Sequence, residues 1–163
     1  MGVKQGQTVV LKETQMSRIF QVMGLMVALA ISGNAAELVS IKAVPDGKAT
    51  NVLTVIKAEK AEMIYHVWIY TGTAPVGDVY VYDSTTKTGK AAEKADMDWL
   101  KERKIEGARM IVKLAVTPSP AFHTRSQKTM DPKQVNLWKV QVYDETKMEP
   151  IGGISFNDNP PVD

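Results

Sequence analysis

His66 and His123 are the only imidazoles in this 163-residue chain, so acid–base, nucleophilic or metal chemistry near neutral pH must draw on them. A zinc or iron site would need both, together with a carboxylate such as Asp78 or Asp83, because such sites gather three or four ligands at about 2 Å. Nothing in the spacing demands it, and a histidine packed or hydrogen-bonded beside Trp68 is the plainer expectation for His66. A serine nucleophile would have to be Ser126 beside His123. These lie three apart on one strand and therefore on opposite faces, and no Gly-x-Ser-x-Gly elbow exposes the hydroxyl. The segment 83–89 lacks the alternating acids and terminal glutamate of a calcium loop. The glycines are scattered, and none opens a helix after a strand to cradle phosphate. With no cysteine, thiolate chemistry and a disulfide framework are both excluded. The sequence thus names no catalytic residue, no metal ligand and no cofactor.

Binding chemistry is better represented. Tyr65, Trp68, Tyr70, Tyr80 and Tyr82 fall in one short stretch. Tyr80 and Tyr82 alternate with Val79 and Val81, so one pair faces inward and the other outward. With the valines in the core, the tyrosines form an exposed ledge suited to a sugar ring or a partner chain, since tyrosine offers a flat apolar face and a hydroxyl. The bland alternative is that the aromatics only stabilise the sheet by cross-strand contact. The stretch 124–128 has two polar rows, as an edge strand does. There Arg125 and Lys128 either discourage sheet-to-sheet pairing or hold an extended segment of another protein. The candidate binding set is Tyr65, His66, Trp68, Tyr70, Tyr80, Tyr82, Arg125 and Lys128.

The elements that must position these residues are short alternating strands separated by turn residues, the pattern of an all-β, antiparallel, Ig-like β-sandwich. Strands are expected over 38–44, 51–57, 63–70, 78–83, 110–117, 122–128, 137–144 and 153–157. Turn chemistry lies between them at Pro45-Asp46-Gly47, Thr71-Gly72, Pro118 and Pro120, and Asp131-Pro132. Trp138, Val140 and Val142 make one apolar row; Met110, Val112, Leu114 and Val116 make another. Both rows of 64–70 are largely apolar, which predicts a central strand covered on both sides. Lys90 to Lys104 is rich in Ala, Lys and Glu. Ala92, Ala95, Trp99 and Arg103 stand at helical spacing with Leu100 beside them, predicting one short inserted helix of about four turns anchored by Trp99. No repeat or linker divides the chain, so residues 36–157 form one domain and 158–163 a frayed tail.

Three motifs align with a pattern. His66, Val67 and Trp68, followed by Gly72, resemble a His-x-Trp then Gly element. Thr124, Ser126 and Lys128 resemble an Arg-Thr-x-Ser-x-Lys strand. Trp138, Val140, Val142 and Asp144, followed by Phe156, resemble a closing Trp-x-Val-x-Val-x-Asp then Phe. Together they are similar to a family of uncharacterised bacterial envelope domains, known only as a domain of unknown function and thought to be all-β. The chain departs from that pattern at His123, where the first Arg stands, and at Asn136-Leu137, where a Gly is expected before Trp138. The helical insertion is also long for the family. The resemblance implies a fold and brings no activity.

Residues 16–36 set the compartment. Arg18 precedes an apolar run from Ile19 to Ile31, which gives way to the small residues Ser32, Gly33, Asn34, Ala35 and Ala36, the order of a secretory signal peptide. The run is shorter than the roughly 20 residues a spanning helix needs. Cleavage after Ala35 puts Gly33 and Ala35 at the small-residue positions, making 1–35 leader and signal; Met16 is an alternative start. Across the whole chain Lys and Arg number 20 and Asp and Glu 18. Loss of Lys4, Lys12, Arg18 and Glu13 leaves 17 of each. A charge-balanced domain has no broad basic field for nucleic acid or an anionic membrane surface. The expectation is an exported, non-enzymatic binding or accessory module of the bacterial cell envelope, periplasmic or secreted, with an envelope protein or polysaccharide as partner. The alternatives are a membrane-anchored subunit that keeps its leader and a metal-dependent hydrolase on the same sandwich.

Overall fold

The computed structural model describes residues 35–73, 77–158 and 161; the signal segment expected over 16–36 lies outside them up to residue 34. Among the described residues nine strands and one α-helix follow in order: β1 (Glu37–Asp46), β2 (Ala49–Ala58), β3 (Glu62–Tyr70), β4 (Tyr80–Asp83), β5 (Thr88–Ala91), α1 (Lys94–Glu102), β6 (Ala108–Val116), β7 (Ser119–Thr129), β8 (Trp138–Asp144) and β9 (Gly152–Ser155), with a single 3-10 turn at Val135–Leu137 before β8. They form two sheets, one of three strands in the order β1-β2-β7 and one of six in the order β5-β4-β6-β3-β8-β9. Among the described residues no helix is long and apolar enough to cross a membrane.

Alternation decides the layers. Ile64, His66, Trp68 and Tyr70 of β3 turn toward the small sheet, while Tyr65, Val67 and Ile69 turn the other way. Residues 64 and 66–70 are all buried, as expected for a strand covered on both sides. Between the sheets Trp68, Val112, Trp138, Val140 and Phe156 pack against Ala43 and Val52. On the far face of the large sheet Val67, Ile69, Val81, Ile111 and Tyr143 pack under Leu100 and Trp99 of α1. Burying apolar side chains of this size stabilises by about 1.5 to 3 kcal/mol each, so both interiors are substantial.

Trp99 anchors the helix as expected. Its ring lies 4.7 Å from that of Tyr65 and 5.3 Å from that of Tyr143, and its indole N–H donates to Glu145 O at 3.0 Å. The helix is shorter than the expected span, because Thr88–Ala91 pairs with β4 as a strand. No apolar row announces β5, whose four residues are all exposed; pairing with β4 alone defines it. Ala95 is exposed, and Asp96 takes the inward position instead. The Asp96 carboxylate accepts from Glu93 N–H at 2.9 Å and from Lys113 Nζ of the sheet below at 2.9 Å. Burial pushes its pKa up, but these bonds and the Lys113 charge outweigh that and hold it low.

One pairing departs from an antiparallel sandwich. β4 runs parallel to β6, with β5 and α1 forming the crossover, as a parallel pair requires. The two sheets are also unequal. At one side β1 approaches β9, where Leu38 lies directly over Gly152. At the other, β7 lies over β3, with Ser126 on His66, and the small sheet ends there, so β4 and β5 project beyond it.

Candidate functional site

The projecting strands place the tyrosine ledge. Val79 and Val81 are buried beneath α1, which turns Tyr80 and Tyr82 onto the opposite face, where no small-sheet strand covers them. They are 48% and 36% exposed. In register they lie beside Met110 and Val112 of β6 on one side and Ala91 and Gly89 of β5 on the other. The Tyr80 phenol occupies the space a Cβ would take at Gly89, so the ring lies across β5. Asp83 tightens the β4–β5 turn by accepting from Thr85 N–H at 2.8 Å and Thr85 Oγ1 at 2.6 Å. These bonds hold its carboxyl below the usual range.

The other candidates divide among separate environments. Tyr65 is half-buried under α1, on the far face of the sheet from the ledge, with Lys113 Nζ 5.6 Å from its ring; burial pushes its phenol pKa up. Tyr70 packs 5.2 Å from Trp138 at the end of the sandwich. The guanidinium of Arg109 lies 5.2 Å from the Tyr70 ring, and Lys128 Nζ lies 4.9 Å from the Trp138 ring. Burial and then the Arg109 charge lower the Lys128 pKa, so two cations converge on two aromatic rings there. Arg125 and His123 face out from the small sheet, lining a shallow groove of about 570 Å³ with Ser40, Lys42, Leu53 and Val55.

His66 and Trp68 are fully buried and meet no surface. Their polar atoms close on the opposite sheet. His66 Nδ1 is 2.7 Å from Ser126 Oγ, and Trp68 Nε1–H donates to the same oxygen at 2.9 Å. His66 Nε2 is 3.2 Å from Thr54 Oγ1, which also bonds Thr124 Oγ1. Ser126 Oγ thus accepts from Trp68 Nε1–H and holds a second hydrogen bond with His66 Nδ1, while the Thr54 hydroxyl meets Nε2. Burial drops the His66 pKa to about 3, so the ring is neutral. Every polar atom of this cluster therefore has a partner although water is excluded, which is the condition for keeping such groups in a core.

The spacing between His123 and Ser126 gave no sign that the serine's imidazole partner comes from β3. The two sequence motifs that contain these residues, His66-x-Trp68 and Thr124-x-Ser126, meet face to face here. The pair does not make a nucleophile open to a substrate, because Ser126 is 4% and His66 0% exposed. His66 points between the sheets and His123 away from them. Among the described residues no three His, Cys, Asp or Glu side chains gather to hold a metal ion.

Glu62 and Asp144, at the adjoining ends of β3 and β8, form a carboxyl pair that no sequence motif marks. Burial, followed by a hydrogen bond to Asp144, raises the Glu62 pKa to about 7. Asp144 is pushed up by burial, but bonds from Glu62 and from Thr146 N–H and Oγ1 outweigh this and leave it low. Glu62 thus holds the proton that Asp144 accepts. No family model, curated protein or solved structure matches the chain.

Proposed function

We propose that the chain is an exported, non-catalytic binding module of the bacterial cell envelope, an Ig-like sandwich modified by the β4–β5–α1 insertion. The observation that carries this is the exposure of Tyr80 and Tyr82 side by side on a sheet face that the shorter sheet leaves uncovered. Exposed neighbouring aromatics on a rigid strand bind at low entropic cost, and Tyr is enriched where partners dock. Of the two imidazoles, that of His66 is sealed inside and engaged on both nitrogens. Export rests on the signal-like order of residues 16–36, and the envelope assignment on the resemblance of the His66, Ser126 and Trp138 motifs.

The test is retention of the chain on a panel of envelope polysaccharides and envelope proteins, with Tyr80→Ala/Tyr82→Ala alongside. Equal retention of both forms on every partner would remove the ledge from the function. Mass spectrometry of the N-terminus after expression in the native envelope checks export: a chain beginning at Ala36 is expected, and an intact leader would instead favour an anchored subunit.

A further inference from the structure

The free edge of β7 is turned toward the ledge, since β7 lies over β3 and β4 is two strands further along the large sheet. Strands in a sheet lie about 4.8 Å apart and facing sheets about 10 Å, and β7 sits over β3 of the large sheet, on the side away from β1 and β9. The next strand position beyond β7 therefore falls over β6, one strand short of β4, from where the inward side chains of an added strand would reach Tyr80 and Tyr82. The opposite edge offers no such place, since β1 closes on β9 through Leu38 and Gly152. We infer that β7 accepts an extended, acidic segment of another protein as a fourth strand of the small sheet, with the tyrosine ledge against its inward side chains.

Charge selects this occupant. The eleven residues of β7 include His123, Arg125 and Lys128 and no carboxylate. Lys128 makes no ion pair among the described residues, and Arg109 stands beside it at the end of the sandwich. Two β7 edges pairing with each other would set one basic row against another, which costs stability, so a second copy fits worse than an acidic strand. A polysaccharide would use the rings but leave the main-chain groups of an eleven-residue edge unpaired, whereas strand addition satisfies them.

This inference rests on the ledge being a binding surface, and the experiment separates the two. A display library of random ten-residue peptides is panned against the full chain, and the strongest sequence is synthesised. Expected are peptides with alternating β-branched and acidic residues, slowed amide exchange across 119–129 in the complex, and at least tenfold weaker binding to both Arg125→Glu and Tyr80→Ala/Tyr82→Ala. Failure to enrich acidic peptides, or a chain that dimerises through β7 in light scattering, overturns the inference. Peptides that depend on the tyrosines but protect no β7 amide overturn strand addition while the ledge stands. Peptides indifferent to both variants remove both.

Discussion

His66 Nδ1 lies 2.7 Å from Ser126 Oγ, joining β3 of the large sheet to β7 of the small one at a point where neither residue meets solvent. Ser126 also takes the Trp68 indole N–H, so one hydroxyl serves two ring nitrogens. Ser126→Ala leaves both without that partner, and each stranded buried group costs about 1 to 3 kcal/mol. A loss of about 2 to 4 kcal/mol is expected, read as a lower urea midpoint at unchanged slope. A loss below about 0.5 kcal/mol would show that the hydroxyl is not the lock between the sheets.

The neutral imidazole gives the fold an acid limit. Its folded pKa of about 3 lies below the ordinary value of 6.5, so the unfolded chain binds the proton more readily. The His66 contribution is complete above pH 6.5 and is lost as pH falls toward 3, by up to about 1.4 kcal/mol per pH unit. His66→Gln should flatten melting temperature against pH in that window. An unchanged slope would place the acid sensitivity elsewhere.

Glu62 acts with the opposite sign. Its folded pKa of about 7 lies above the ordinary 4.5, so its protonated form stabilises fully below pH 4.5 and that contribution is lost as pH rises to about 7. Between pH 4.5 and 6.5 the Glu62 and His66 trends oppose each other. Glu62→Gln should leave the His66 rise unmasked and raise the melting temperature at pH 8. A lower melting temperature at pH 8 would mean that the carboxylate is needed there in its charged form.

At the ledge, Gly89→Ala tests ring placement without removing a ring. The new methyl group would fall on the Tyr80 phenol, forcing the ring off β5. Binding to whichever envelope partner the wild type retains should weaken about tenfold, while the melting temperature moves by only a few degrees, because the site is exposed. Full affinity in this variant would show that the pose of Tyr80 across β5 is irrelevant.

Trp99→Ala should free α1 without unfolding the sandwich. It removes the stacking on Tyr65 and Tyr143 and the bond to Glu145, at about 3 kcal/mol. Hydrogen exchange should quicken across 94–102 more than across β3. Equal acceleration in both would mean that helix and sheets open as one unit.

Eight of the nine strands were legible because each carries an apolar row or a turn residue at its end; β3 was even legible as central, from its two apolar rows. β5 was not, since Thr88–Ala91 has no side chain that seeks burial. Asp96 was hidden for a related reason. Acids read as solvent-facing unless the Lys113 beneath is known, and that contact depends on how a helix docks. At the site, alternation put Tyr80 and Tyr82 on one face and Val79 and Val81 on the other without saying which is outward, and burial of the valines beneath α1 decides it. Alternation could not show that His66 and Trp68 turn inward to Ser126, since period two fixes which residues share a face and leaves open which sheet lies opposite.

The amide of Tyr70 donates to the carbonyl of Gly107 at 2.9 Å, so the chain leaves the large sheet and re-enters it at neighbouring points. Gly107, at φ +78°, makes the return where a Cβ would strike Tyr70 O. Everything between, ledge and helix included, is a cassette on a closed stem. Its outward residues, Tyr80 and Tyr82 among them, can change while Val79, Val81 and Leu100 keep the interior beneath α1 filled, so recognition can diversify in this scaffold with the His66–Ser126 wiring untouched.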